Sequence, residues 1–324
     1  MSVLFILKRF YDYNGHYPVN NGLKTSARFV VDFLQHEGVK AKLVEAVDGN
    51  CIDRLVTENK PDKVVLEAIW ATPTKLAELQ RLHPKIKWTV RIHSETPFLA
   101  AEGVAVAWIN DYIKQGVEVA FNSLETKGDF SVLGKTSYLP NYYPLRKPRP
   151  AQPATPVINV GCFGAIRPLK NQLIQAFAAV RFAKDAGTDM VFHMNGSRIE
   201  QFGDNNLKNI QALLDATGFT LKLHPWLDHE DFLELVASMD ICLQVSLSES
   251  FCIVASDAVS IGVPLVGSEA IRWLPERSQA DVSSVDSIVS AIERANATTV
   301  IMNQAALKTY LKNSAKAWNT WLQA

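Results

Sequence analysis

The chain has 324 residues, of which 48% are hydrophobic and 20% charged, a composition that excludes a disordered polymer and supports about two domains. Its 33 basic and 33 acidic residues balance to zero net charge, which excludes a general nucleic-acid binder but not a local basic face.

The amino terminus, MSVLFILKRF, holds a short apolar run with no basic leader and no small-residue cleavage site, so residues 3–7 read as a first strand. Leu23, Ala27, Val30, Val31 and Leu34 then recur at helical spacing. Strands are predicted over residues 42–47, 63–69, 87–92, 117–121 and 137–139, with helices over 74–82 and 98–114. Residues 144–156 contain five prolines and read as an extended linker. The alternation then restarts, with strands over 157–163, 190–194, 219–223, 241–245 and 264–266. Helices are predicted over 172–186, 207–217, 229–238 and 253–261, and helical segments around 284–295 and 304–323 close the chain. No apolar run approaches the roughly 18 residues of a membrane span. Cys51, Cys162, Cys242 and Cys252 show no CxxC spacing; Cys162 and Cys242, in apolar strand-like runs, read as buried small hydrophobes, the compartment as reducing, and a soluble cytoplasmic protein is expected.

This pattern predicts an α/β protein with two doubly wound, Rossmann-like domains facing a central cleft. The expected boundaries are 1–145 for the first domain, 146–156 for the linker, 157–303 for the second domain and 304–324 for a last helix. In such sheets ligands bind beyond the carboxyl ends of the strands, so the residues that follow strands carry the functional information.

Two segments of the second half fit that rule. Glu249 follows a buried strand, and Asp257 lies eight residues later on a helix expected to start near Cys252. The amides around Ser250, Phe251 and Cys252 at a helix start favour an anion such as a diphosphate. Two carboxylates beside that anion can accept hydrogen bonds from sugar and ribose hydroxyls; equally, they can be a capping acid and a solvated acid. In the other segment, Gly164 permits a tight turn, and Arg167 and Lys170 follow it. Two cations at a strand-to-helix turn suit a diphosphate, unless they are ordinary surface charges.

Taken together, the turn from Gly164 through Arg167 to Lys170 and the Glu249-x7-Asp257 spacing resemble the signature of GT-B retaining glycosyltransferases of the family-4 type. Two departures stand out: Ala165 replaces the arginine that usually follows the glycine, and Asp257 replaces a second glutamate. The segments NGHYPVNNGLKTSARFVVDFL, RIHSETPFLA and FGAIRPLKNQL are similar to compact glycosyltransferases of tailed bacteriophages. The resemblance implies an enzyme that transfers a sugar from a nucleoside diphosphate sugar with retention. It needs no cofactor and no metal, because Arg167, Lys170 and the helix-start amides would stabilise the leaving diphosphate. The first domain would serve the acceptor side, the second would bind the nucleotide sugar, and the last helix would cross back to the first.

Further residues take roles from the same resemblance. Asn195 and Gly196 would form the glycine turn of the donor site, and Trp226 would contact the base unless it is simply a packed aromatic. Gly22 would stand near the donor phosphates, and His93 would bond the transferring sugar rather than act as general base. Between the first strand and Gly22 lies a long connection in which Lys8, Arg9, Tyr11, Tyr13, His16 and Tyr17 interleave cations with aromatics. It would line the acceptor side, or it packs on itself. The acceptor is a hydroxyl compound, with a hydroxymethylated base in phage DNA as one reading and a saccharide, lipid or small molecule as the other. A sugar-nucleotide epimerase of the same architecture and a non-enzymic binding protein are the competing classes.

Overall fold

The computed structural model describes residues 1–9, 22–148, 156–200 and 202–324. The chain forms two compact units: Met1–Pro144 with Leu311–Ala324, and Leu145–Tyr310. No helix among the described residues is long and apolar enough to cross a membrane.

In the first unit the elements run β1 (Ser2–Lys8), α1 (Gly22–His36), β2 (Lys40–Ala46), α2 (Cys51–Asn59), β3 (Lys63–Glu67), α3 (Pro73–Leu82) and β4 (Lys87–Ile92). They continue with α4 (Thr96–Leu99), α5 (Ala105–Lys114), β5 (Glu118–Phe121), α6 (Leu124–Phe130) and β6 (Ser137–Tyr138). The six strands are all parallel, in the order β2-β1-β3-β4-β5-β6. Alternation along β1 explains the two layers of core. Val3 and Phe5 pack with Val30 and Leu34 of α1, while Leu4 and Ile6 pack with Ile52, Leu76 and Ile109 of the opposite helices.

The second unit contains β7 (Val157–Gly161), α7 (Gln172–Ala186), β8 (Asp189–Asn195), α8 (Gly203–Thr217), β9 (Thr220–His224) and α9 (His229–Ala237). It closes with β10 (Ile241–Gln244), α10 (Ile253–Ile261), β11 (Leu265–Gly267), α11 (Val285–Arg294) and the start of α12 (Ala297–Gln323). Its five strands are parallel, in the order β11-β10-β7-β8-β9. Strand order reverses between β1 and β3 in the first sheet and between β7 and β10 in the second. Those switch points are where an open parallel sheet leaves a crevice for a ligand.

Several elements depart from the sequence expectation for local reasons. The helix expected over 98–114 is two helices, α4 and α5, separated by a stretch that contains Gly103. The last helix starts at Ala297 rather than near 304. There the Asn296 side chain accepts from the Thr298 and Thr299 amides at 2.9 and 3.3 Å, which caps a β-branched stretch that reads poorly as helix. Helices α2 and α6 were not expected. Three buried cysteines behave as small hydrophobes, and burial pushes the thiols of Cys162 and Cys252 up to about 12.

The end of α12 lies in the first unit. Trp318 is fully buried there; its indole N–H donates to the Pro140 carbonyl at 2.9 Å and its ring meets Phe5. Lys63, also buried, donates to the Trp321 carbonyl at 2.7 Å and so satisfies the carboxyl end of the helix. Trp318→Ala should destabilise the fold by about 3–5 kcal/mol, the usual effect of truncating a buried aromatic. Urea unfolding followed by circular dichroism checks this, and an unchanged midpoint would show that the helix end carries no packing energy.

Candidate active site

In the second unit, β7 and β10 flank the switch point, and the two segments singled out from sequence follow those strands. Gly164 has φ +118°, a conformation that disfavours a side chain, and a Cβ there would lie 3.5 Å from Lys170 Cε. Its amide donates to Asn195 Oδ1 at 2.8 Å, which joins the ends of β7 and β8. A single 3₁₀ turn, Pro168–Lys170, then presents Lys170.

Lys170 is buried and pairs through Nζ with Oε1 of Glu249. The backbone explains the meeting. Asn171 takes a left-handed conformation, and its side-chain amide donates to the carbonyls of Val245 at 3.1 Å and Val282 at 2.8 Å. Gln175 donates to the Lys170 carbonyl at 2.8 Å and accepts from the Val245 amide at 2.9 Å. Leu247 N–H donates to Leu169 O at 2.9 Å. The loop after β7 is thus tied to the exit of β10. Burial alone would lower the Lys170 pKa, but the Glu249 carboxylate, with Cys252 beside it, holds the ammonium above the ordinary lysine value.

Helix α10 begins after Cys252, itself left-handed at φ +61°. The preceding loop is pinned by its own backbone and side chains. Trp273 donates to Phe251 O at 2.8 Å, and the Cys252 thiol donates to Gln244 Oε1 at 3.4 Å. Ser250 is half-buried beside them. Asp257 lies within α10, but it is 1% exposed and accepts from His229 Nε2 at 2.7 Å. Packing of α9 against α10 buries it, and His229 engages one of its oxygens.

Arg167, immediately before the 3₁₀ turn Pro168–Lys170, donates through Nη1 to Glu200 at 3.2 Å. Glu200 in turn accepts from Arg198 at 2.6 Å, and the Arg198 guanidinium lies 5.2 Å from the centre of the Trp226 ring. Trp226 is half-buried, with its amide donating to Ser197 Oγ at 2.9 Å. Gly196 donates to His224 O at 2.8 Å, and a Cβ there would crowd Leu223 at 3.0 Å. Arg198, Glu200 and His229 escaped the sequence reading, since isolated charges after a strand give no spacing signal. His193 and His224 form a second unforeseen pair: their ring nitrogens are 2.9 Å apart, and His193 also meets Asn159 at 3.1 Å. Burial and the neighbouring His224 lower the His193 pKa to about 4.

In the first unit, His93 follows β4. Its Nε2 meets Glu67 at the end of β3, and its Nδ1 lies 3.5 Å from the Asn122 amide nitrogen. Arg91 bonds both Glu67 oxygens at 3.2 Å. Burial and Arg91 lower the His93 pKa more than Glu67 raises it, so the ring is neutral at pH 7. Lys8 is exposed at the end of β1, Arg9 donates to Glu45 at 3.3 Å, and Gly22 opens α1. Tyr11, Tyr13, His16 and Tyr17 lie outside the described residues. Among the described residues no cluster of three His, Cys, Asp or Glu suits a metal ion.

No family model and no curated protein matches the chain. Solved structures do match along its whole length. Sucrose-phosphate synthase from Thermosynechococcus elongatus superposes with a TM-score of 0.72 at 12% identity, covering 99% of this chain and 98% of that one. HepE from Anabaena, in complex with UDP and glucose, gives 0.70 at 15% identity and 99% of both chains. The trehalose-6-phosphate synthase OtsA gives 0.69 at 11% identity, with 100% and 98% coverage. These likenesses establish the GT-B fold, two parallel-sheet α/β domains.

Two outcomes follow for stability. Removing one member of the buried Lys170–Glu249 pair should cost about 3–5 kcal/mol, whereas the double replacement Lys170→Met with Glu249→Leu should cost less than either single change. Additive losses in a double-mutant cycle would show that the pair is not coupled. His193 binds a proton more readily unfolded than folded, so stability should fall as pH drops from about 6.5 to about 4. His193→Gln should flatten that part of the unfolding profile; an identical slope would place the protons elsewhere.

Proposed function

We propose that the chain is a retaining glycosyltransferase that moves a sugar from a nucleoside diphosphate donor to a hydroxyl acceptor. The observation that carries this reading is the buried Lys170 at the switch point of the second sheet, tied to the loop that leads into α10. A fixed ammonium beside the amides of a helix start is suited to a diphosphate leaving group. The fold likeness to sucrose-phosphate synthase, OtsA and a UDP complex of HepE supports the same reading.

In this reading Lys170 and the amides near Ser250, Phe251 and Cys252 take up the charge that develops as the anomeric bond breaks. Glu249 orients Lys170 and accepts from a sugar hydroxyl. Gly164, Asn195 and Gly196 shape the phosphate-side turns. Trp226, beneath the Arg198 guanidinium, offers a face to the base, and Asp257 acts on the ribose together with His229. Arg167 steadies this edge through Glu200 instead of gripping phosphate. His93, neutral, bonds a hydroxyl of the donor sugar. The acceptor attacks on the face the diphosphate leaves, and the departing phosphate takes its proton. Gly22 stands near the donor phosphates, and the segment with Lys8, Arg9, Tyr11, Tyr13, His16 and Tyr17 serves the acceptor.

A hydroxymethylated base in DNA is the acceptor that the phage resemblance suggests. Arg9 lies against Glu45 and Arg146 against Glu230 at 2.8 Å, which favours a saccharide, lipid or small-molecule hydroxyl over duplex phosphates. Incubation with a panel of UDP-, GDP- and ADP-sugars and hydroxyl acceptors, with products identified by mass spectrometry, tests the assignment. Transfer should require one donor type, and Lys170→Ala should lower kcat about 100- to 1,000-fold. Undiminished turnover would remove the site from the reaction. A donor isomerised without acceptor would indicate an epimerase, and duplex affinity that falls steeply with salt would restore the DNA acceptor.

A further inference from the structure

The carboxyl ends of β3 and β4 hold a buried polar network in the first unit. Glu67 and Arg91 are register partners on neighbouring strands, and both are fully buried. The Arg91 guanidinium is bonded on every nitrogen. Nη1 donates to both Glu67 oxygens at 3.2 Å, Nε to Leu139 O at 2.9 Å, and Nη2 to Pro140 O at 3.0 Å and Asn141 Oδ1 at 2.6 Å. Arg91 Nη1 also lies 3.3 Å from His93 Nε2, farther than the Glu67 oxygen that touches the same nitrogen. A carboxylate in contact with a ring nitrogen requires a proton between them, and an arginine has none to yield. The Nε2 proton therefore belongs between His93 and Glu67. The other nitrogen, Nδ1, keeps its lone pair, with the Asn122 amide at the long distance of 3.5 Å.

We infer that Glu67, braced by Arg91, is a positioning residue that fixes the His93 imidazole as its Nε2–H tautomer and leaves Nδ1 to accept a hydrogen bond from a substrate hydroxyl. The hydroxyl's place on a donor sugar rests on the proposed transferase reading; the tautomer does not. Glu67 is charged despite burial, because Arg91 and His93 hold its carboxyl below the ordinary range. A hydroxyl that must donate is a specificity element: fluorine in its place accepts weakly and donates nothing, so the matching deoxyfluoro donor loses the bond.

Nitrogen-15 spectra of histidine-labelled full-length protein test the first half, with the His93 signals assigned by their loss in His93→Gln. The expected spectrum at neutral pH has a protonated Nε2 and a bare Nδ1. In Glu67→Gln the Nε2–H signal should weaken or be lost and kcat should fall at least tenfold, with partial recovery in Glu67→Asp. If Glu67→Gln does not fold, Glu67→Gln with Arg91→Met removes the buried cation together with its partner. A wild-type spectrum with the proton on Nδ1, or one unchanged in the folded Glu67 variant, overturns the inference. Deoxyfluoro donors test the second half. One position should lose transfer at least tenfold in the wild type and show no such penalty in His93→Gln; equal rates for all of them overturn the acceptor role. An Nε2–H spectrum in a protein that transfers from no donor would sink the transferase reading while the tautomer stands.

Discussion

A lysine ammonium nine-tenths removed from water persists only against a carboxylate, and that requirement organises the second unit. Lys170 comes from the loop after β7 and Glu249 from the loop after β10, the strands on either side of the switch point. The pair forms only if both loops leave their strands in register. Asn171 and Gln175 enforce that register by bonding backbone groups of both segments. The first unit repeats the theme with Glu67 and Arg91 at the ends of β3 and β4.

Much of the backbone strain lies on the same map. Left-handed residues other than glycine are disfavoured by about 1–3 kcal/mol and persist where surrounding bonds overdetermine them. Ala68 follows Glu67, Asn171 follows Lys170, and Cys252 opens α10. Each is anchored: Ala68 donates to Arg91 O at 2.8 Å, Asn171 donates through its side chain to two carbonyls, and Cys252 O accepts from the Ser256 amide at 3.1 Å. Three of the five left-handed residues other than glycine among the described ones thus lie at the turns around the buried charges, while Lys60 and Phe202 flank α2 and α8.

The strand–helix alternation was legible because parallel strands buried on both faces read as apolar runs and their covering helices as 3.6-residue periods. Helix α2 escaped because its sequence, CIDRLVTEN, buries only Ile52 and Val56, too few for a period. The turn at Gly164, Lys170 and Glu249 was visible as residue types at fixed spacing after strands. Accessibility was not. Asp257 and Arg167 have the right chemistry, but whether a helix neighbour covers one or an acid engages the other depends on residues distant in sequence, His229 and Glu200. The partners of His93 did leave a signal. Glu67 and Arg91 are charges that end or interrupt apolar strand runs, and a charge held in such a run needs a buried partner.

The two buried pairs differ in what they leave unspent, and this separates scaffold from site. A guanidinium has five N–H donors, and every nitrogen of Arg91 is bonded to protein; such a group can hold a neighbour in place but has nothing left for a ligand. An ammonium has three donors, and Glu249 is the one hydrogen-bond partner of Lys170 Nζ among the described residues. On the proposed reading, a diphosphate adds to Lys170 without displacing Glu249, and the carboxylate orients the cation with the ligand bound or absent. The same asymmetry accounts for the residue types. An arginine suits the position where three backbone and side-chain segments must be clamped, and a lysine suits the position where one anchor must coexist with a ligand.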